Sequence, residues 1–282
     1  MKVKIRIIFT ILFTILFLNG CNTTKLNKID SNLLAIHFID VGQGDSILIQ
    51  YKNKNMLIDA GPKEASSALL NYLKKYKVNS FKYIIATHPH EDHIGSMDKI
   101  IDKYPITTFY APKVITTTKT FSSMVSSLHN KSLKISKAMA GVSINFDNDL
   151  QCTFIAPNNA DYKDLNNYSA VIKIEFKNTS FLFMGDAQKL SEDEILSENN
   201  NIQSSVIKIG HHGSRTSSSE AFIKTVNPSI AVISCGANND FGHPHKPTLT
   251  LLQKLNVKLY RTDKNSNIII TSDGKKIKSL TN

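Results

Sequence analysis

Tryptophan is absent from this 282-residue chain, and cysteine occurs only three times, at Cys21, Cys152 and Cys235. The missing tryptophan, beside frequent Asn, Lys and Ile, reads as compositional bias with no functional content. Cys152 and Cys235 lie in apolar, strand-like runs (Gln151-Cys-Thr-Phe-Ile155 and Ala231-Val-Ile-Ser-Cys235), which suits small buried side chains; a disulfide between them stays open. There is no repeat of fixed period, and no low-complexity segment beyond residues 22–33. The apolar run Ile7 to Leu18 is short of the ~20 residues a membrane-spanning helix needs. A hydrophobic content of 41% argues against general disorder, and the length suits one α/β domain plus a tail.

The first twenty residues stand apart. Lys2, Lys4 and Arg6 form a charged start, an apolar stretch follows, and Leu18-Asn19-Gly20 precedes Cys21. This is the pattern of a secretory signal. Its Leu-Asn-Gly-Cys ending resembles a bacterial lipobox, in which Cys21 is lipidated and becomes the new N-terminus; an uncleaved anchor is the competing reading. The expected organisation is a signal over 1–20, a flexible tether over 21–33 and one domain over 34–282. It implies a lipid-anchored protein on the extracytoplasmic face of a bacterial cell membrane. Loss of the signal lowers the net charge from +11 to +8. That surplus favours polyanionic partners such as nucleic acid, although the lysines are scattered and equally suit a merely solvated surface.

Short β-rich runs alternate with helical patterns. Strands are expected at Leu34–Ile39, Ser46–Tyr51, Met56–Ile58, Tyr83–Ala86, Val171–Phe176, Ser180–Met184, Val206–Ile209 and Ile230–Ser234. Helices are expected at 64–76, 94–101, 120–130, 191–197 and 219–226. The helix at 191 opens on a capping-box pattern, Ser191-Glu-Asp-Glu194. Lys275-Lys-Ile-Lys278 reads as a solvated end. The alternation supports a layered α/β domain of two sheets with helices outside.

Seven of the nine histidines fall into three tight groups: His88, His90 and His93; His211 and His212; His243 and His245. Each group follows an apolar β-run and begins in a Gly- or Pro-containing loop. In layered α/β proteins, reactive groups collect in loops at strand ends. His88 and His90 are two apart, so on extended backbone they point to one side. Asp92 and His93 follow in a turn that can aim them at a second point nearby. Asp186 and His211 also leave strand ends. Imidazole with carboxylate and no cysteine suits catalytic zinc, manganese or iron better than a structural zinc site. Two such cations about 3.5–4 Å apart can share a hydroxide, which removes the need for a serine or cysteine nucleophile.

His88-Pro-His90-Glu-Asp92-His93 matches the HxHxDH signature of the metallo-β-lactamase superfamily. Phe38-Ile-Asp-Val-Gly-Gln-Gly-Asp-Ser46, Leu57-Ile-Asp-Ala-Gly61, Met184-Gly-Asp186, Gly210-His-His-Gly-Ser214 and Gly242-His-Pro-His245 resemble the extracytoplasmic hydrolase domain of the ComEC DNA-uptake proteins, from about residue 34 to about 260. The resemblance implies a four-layer αββα sandwich and an exported metal-dependent hydrolase, most concretely a phosphodiesterase or nuclease acting on DNA through a metal-held hydroxide. Hydrolysis of phosphorylcholine or wall-polymer esters or of lactones, and a non-catalytic binding lipoprotein, are the alternatives.

Carried over residue by residue, the resemblance implies two divalent ions, Zn²⁺ or Mn²⁺. His88 and His90 bind the first, Asp92, His93 and His211 the second, and Asp186 bridges them. It places Asp40, Asp45 and Asp59 nearby as orienting groups, with turn stabilisation the competing role for Asp40 and Asp45. Asp92 and His243 are the candidate catalytic residues, and His243 could protonate a leaving oxygen. His212 has a supporting role. Ser214 and Arg215 either contact substrate phosphate or belong to a helix-capping run. A further His common in the superfamily is missing, since His129 lies in an expected helix. Asn167-Tyr-Ser169 stands in its place, which leaves the first ion less fully held.

Overall fold

A computed structural model describes residues 29–198 and 201–281. The expected signal, Cys21 and most of the expected tether lie outside the described residues. One compact unit begins at Ser31.

In chain order, β1 (Leu34–Phe38), β2 (Ile47–Tyr51), β3 (Lys54–Ile58), β4 (Phe81–Ile85), β5 (Ile106–Ala111) and β6 (Ile135–Lys137) enter a first sheet. A second sheet takes β7 (Ser143–Asp147), β8 (Leu150–Ala156), β9 (Val171–Phe176), β10 (Thr179–Phe183), β11 (Val206–Lys208), β12 (Ile230–Ile233) and β13 (Lys258–Arg261). The chain then returns to the first sheet with β14 (Ile268–Ser272) and β15 (Ile277–Ser279), giving the orders 15-14-1-2-3-4-5-6 and 13-12-11-10-9-8-7.

Strand alternation explains the layering, because successive side chains point to opposite faces. Leu34, Ile36 and Phe38 of β1, Ile47 and Ile49 of β2, Ile172, Ile174 and Phe176 of β9, and Phe181 and Phe183 of β10 join one core between the sheets. Their alternates face outward. Leu48 and Leu57 meet Leu69 and Leu73 of α1 (Ser66–Lys75), beside Ile94 of α2 (Glu91–Ile94), Ile100 of α3 (Met97–Lys103) and Met124 of α4 (Lys119–Asn130). Leu182 and Ile207 meet Ile195 of α5 (Lys189–Ser197), Phe222 of α6 (Glu220–Val226) and Leu252 of α7 (Lys246–Lys254). Three apolar layers between four layers of structure make the αββα sandwich.

Three local expectations change. The helix expected at 94–101 breaks at Gly95-Ser96, where the backbone of Pro62 and Lys63 approaches so closely that a Cβ on Gly95 would collide with it. The Ser191 pattern caps nothing: α5 already starts at Lys189 with Gln188 as N-cap. Instead Ser191 Oγ donates to the Asn167 carbonyl at 3.3 Å, Glu192 accepts from Ser219 N at 2.9 Å, and Glu194 accepts from Tyr162 Oη at 2.6 Å. Of the lysine-rich tail, Lys275 and Lys276 lie in the turn on Asp273, and Ile277–Ser279 form the edge strand β15, where the exposed Lys278 suits a sheet edge that must not recruit further strands.

Candidate metal centre

Strands β3 to β6 run parallel, as do β10 to β13. Within each parallel set the carboxyl ends, and the loops that leave them, share one edge. Asp59 follows β3, the His88–His93 loop follows β4, Asp186 follows β10, and His211 and His212 follow β11. The backbone at these exits is unusual. Asp59, His211 and His212 have φ of 58°, 48° and 52°, a left-handed region that costs non-glycine residues energy and clusters at functional sites. Gly185 also has positive φ, and a Cβ there would sit 3.1 Å from Ser169 and Thr87. Only glycine lets Asp186 come this close to the His88 loop.

The two halves meet in one cluster. Ligand-capable atoms of Asp92, His93, Asp186 and His212 all lie within 4.8 Å of one another. His93 Nε2 is 3.3 Å from Asp186 Oδ1 and 3.7 Å from Asp92 Oδ2. His212 Nε2 is 3.1 Å from Asp92 Oδ2 and 3.3 Å from Asp186 Oδ2. His88 Nε2 lies 4.0 Å from Asp186 Oδ2 and 3.0 Å from His90 Nδ1. His211 is half-buried and outside that four-residue cluster, with Nε2 3.8 Å from Asp186 Oδ2.

The far nitrogen of each ring is fixed by a neighbour. His93 Nδ1 is 2.7 Å from Asp59 Oδ2, and Asp59 itself accepts from Thr87 N and Thr87 Oγ1 at 2.8 and 2.6 Å. His212 Nδ1 donates to the Ser234 carbonyl at 2.9 Å. His88 Nδ1 lies 3.1 Å from Thr87 Oγ1 and 3.4 Å from Ser169 Oγ, while Ser169 Oγ also accepts from Asp186 N at 3.0 Å. Such partners set the tautomer and turn the other nitrogen to a common point.

The charges ask for a cation. Burial opposes a charge on His93, but the carboxylates of Asp186, Asp92 and Asp59 outweigh it and hold the ring well above the usual histidine range. Burial likewise opposes charge on His212, yet Asp186, Asp92 and Asp45 push it up to about 10. Asp186, buried among these imidazoles, is held well below the ordinary carboxylate range. His88 moves the other way, lowered by burial and by His93. His93 Nε2 and Asp186 Oδ1 are buried without a hydrogen-bond partner among the described residues. Unpaired nitrogen and oxygen donors aimed at one point, in a set of imidazoles and carboxylates, fit a divalent ion.

Lys208 is a functional neighbour that the sequence motifs do not contain. Its fully buried ammonium pairs with Asp45, donates to the Gly185 carbonyl at 3.0 Å and lies 4.0 Å from Asp186. The only signal was a charge inside the apolar run Val206-Ile-Lys-Ile209. Among the expected orienting groups, Asp45 and Asp59 pack behind His93, and their ligand-capable atoms cluster with it. Asp40 is placed elsewhere: its Oδ1 accepts from Gly42 N at 3.2 Å, a turn contact. Asn167 Oδ1 is taken up by Ser191 Oγ at 3.2 Å, and it is the preceding Asn166 that lines the site. Ser214 is buried, and its Oγ accepts from Thr216; Arg215 is exposed. Ser219 supplies the cap of α6 by accepting from Phe222 N.

These groups open onto a cleft of about 320 Å³ lined by Asp92, Asp186, His211, His212, His243 and Phe241, among others. The rings of His211 and His243 are 5.4 Å apart. Burial and the nearby imidazoles of His212, His211 and His245 bring His243 down to about 4.

The sandwich and the imidazole–carboxylate loops at its edge define a metal-dependent hydrolase architecture. The profile of the Metallo-beta-lactamase superfamily matches residues 39–237, and the chain belongs to that superfamily. It is 29% identical over 251 residues to ComE operon protein 3 of Bacillus subtilis, covering 83% of this chain and 32% of that protein. It is 26% identical to Competence protein ComA of Neisseria gonorrhoeae, over 89% of this chain and 34% of that one. The chain thus spans about a third of the length of these relatives. The metallo-beta-lactamase fold protein YhfI from Bacillus subtilis superposes with a TM-score of 0.57 at 12% identity, over 85% of this chain and 99% of that one, a likeness of fold alone. Among the described residues no helix is long and apolar enough to cross a membrane.

Proposed function

We propose that this protein is a metal-dependent phosphodiesterase that cuts nucleic acid, held by a lipid on Cys21 at the outer face of the cell membrane. The observation that carries the reading is the convergence of Asp92, His93, Asp186 and His212, with His88 and His90 alongside, at the floor of one open cleft. In this reading His88 and His90 would hold one divalent ion, Asp92, His93 and His212 would hold a second, and Asp186 would be available to both. His212 takes the place that the family resemblance gave to His211, because its Nε2 is nearer to Asp186 and its Nδ1 is tied to a backbone carbonyl.

When bound, the ions would acidify a water and offset charge on the phosphate oxygens. The chain's own residues do the rest. Asp59, Ser169 and the Ser234 carbonyl hold the imidazoles in register. Lys208 fixes Asp45 and the Gly185 turn, so Asp186 cannot swing away. His211 and His243 present ring nitrogens at the rim, where a phosphate oxygen would enter. Competence proteins among the relatives and the net charge of +8 left after loss of Lys2, Lys4 and Arg6 support nucleic acid as the substrate.

The test is direct. Protein loaded with Mn²⁺ or Zn²⁺ is incubated with labelled DNA and with a small phosphodiester. Cleavage of DNA that is lost in the Asp186→Asn variant supports the reading. Turnover of the small diester without DNA cleavage removes the nuclease part. A protein that takes up no metal, and whose His93→Ala variant behaves as wild type, points to a binding lipoprotein.

A further inference from the structure

Phe241 is the exposed aromatic of the described chain: 64% of its surface is open, and every other large exposed hydrophobic side chain is aliphatic. It sits on the rim of the same cleft as Asp92, Asp186 and His243. Its ring lies on that of His243, centroids 5.6 Å apart and planes 18° from parallel. One face of Phe241 is therefore supported. A ring backed on one side at the mouth of a polar cleft leaves its 64% open surface available to a flat ligand.

The segment that carries it is held from several sides. Asn239 Oδ1 accepts from His243 N at 3.0 Å, and its Nδ2 donates to the Gly236 and His243 carbonyls at 2.9 and 2.6 Å. His245 Nδ1 accepts from Arg215 N at 3.0 Å, which leaves the proton on Nε2 to donate to the Phe241 carbonyl at 3.2 Å. Asn166 lines the same cleft, more than nine-tenths buried, and its Oδ1 has no hydrogen-bond partner among the described residues. A flat apolar platform and an unpaired amide acceptor in one cleft match a nucleobase, which has a π-face and N–H donors on its edge. Inside a duplex the base's π-faces are stacked on its neighbours and its Watson–Crick edge is paired, so only an unpaired base can lie on such a platform.

Resting on the phosphodiesterase reading, we infer that Phe241, backed by His243, stacks the unpaired base next to the scissile phosphate, so that the substrate is single-stranded or frayed nucleic acid. Phe241 is a specificity-determining residue in this account.

Binding of the full chain to a short oligothymidylate, and to an abasic strand of equal length, is measured by anisotropy at low salt in EDTA. Loss of one stacked base is worth about 5- to 150-fold in affinity. Phe241→Ala is expected to weaken the oligothymidylate by that factor and leave the abasic strand unchanged. Phe241→Trp is expected to keep the affinity. Because the chain has no other tryptophan, its fluorescence should be quenched by the oligothymidylate and not by the abasic strand. Equal losses on both strands, no loss on either, or an unquenched Phe241→Trp would overturn the platform. If wild type still cuts DNA in that event, the phosphodiesterase reading stands alone. If wild type neither cuts DNA nor binds either strand, that reading falls and takes this inference with it.

Discussion

His93 and Asp59 are joined by a 2.7 Å contact between Nδ1 and Oδ2, both fully buried, while the opposite nitrogen of the same ring looks at Asp186 from 3.3 Å. The ring is thereby fixed between a carboxylate that orients it and a carboxylate that shares its ligand point. Thr87 completes the arrangement by donating twice to Asp59.

Asp59→Asn should keep the fold but loosen that orientation. Outer carboxylates of this kind typically contribute about 10- to 100-fold in metal affinity. Titration of divalent ion against a competing chelator should show a loss of that order. Unchanged affinity would mean that Asp59 is only a turn residue.

His212→Ala and His211→Ala should differ. The first removes a member of the four-residue cluster, the second a ring outside it. Elemental analysis should find less bound metal in His212→Ala and near wild-type metal in His211→Ala. The reverse order would restore His211 as the ligand.

Lys208→Met should leave Asp45 buried without its cation. Breaking a buried pair from one side typically costs about 3–5 kcal/mol, and removing both charges costs less. Chemical denaturation of Lys208→Met, and of the double variant Lys208→Met/Asp45→Asn, tests this. A double variant less stable than the single one would show that the pair is not coupled in this way.

His37 gives a pH signature remote from the centre. It is buried against Tyr72, whose hydroxyl lies 3.0 Å from His37 Nδ1, and burial pushes it down to about 3 against a smaller opposing contribution from Gln50. The folded protein therefore resists protonation that the unfolded chain accepts below about 6.5. Stability from neutral His37 is complete above that pH and is lost as pH falls toward 3. Between pH 7 and 5 the loss is about 2 kcal/mol, at 1.36 kcal/mol per pKa unit. His37→Phe should lose about that much less than wild type over the same interval, read from denaturant midpoints. Equal losses would remove His37 as the cause.

Much of this was legible in the sequence because strands carry a period of two and the histidine groups follow strand ends. The β-rich runs that hold Phe38, Phe181 and Phe183 are apolar enough to show as strands, but Leu182 between the two Phe is apolar as well, so which face meets the inter-sheet core came only with the fold. The six residues from His88 to His93 announce a ligand loop by spacing. What stayed hidden depends on tertiary approach. Ser191 has the local chemistry of a cap, but Asn167 from a distant turn takes its hydroxyl. His211 and His212 are adjacent, and only the left-handed backbone at both decides which ring enters the cluster. Lys208 stays hidden because its partner, Asp45, lies far off in the chain. Phe241 gave no periodic signal, since its exposure depends on how the loop before His243 folds.

The most direct test of the central claim is anomalous diffraction from crystals equilibrated with Mn²⁺ or Zn²⁺. The account predicts a strong peak within bonding distance of His93 Nε2, His212 Nε2, Asp92 and Asp186, with any second peak at His88 and His90. No peak at this cluster under saturating metal, or a peak held by other residues, would contradict it.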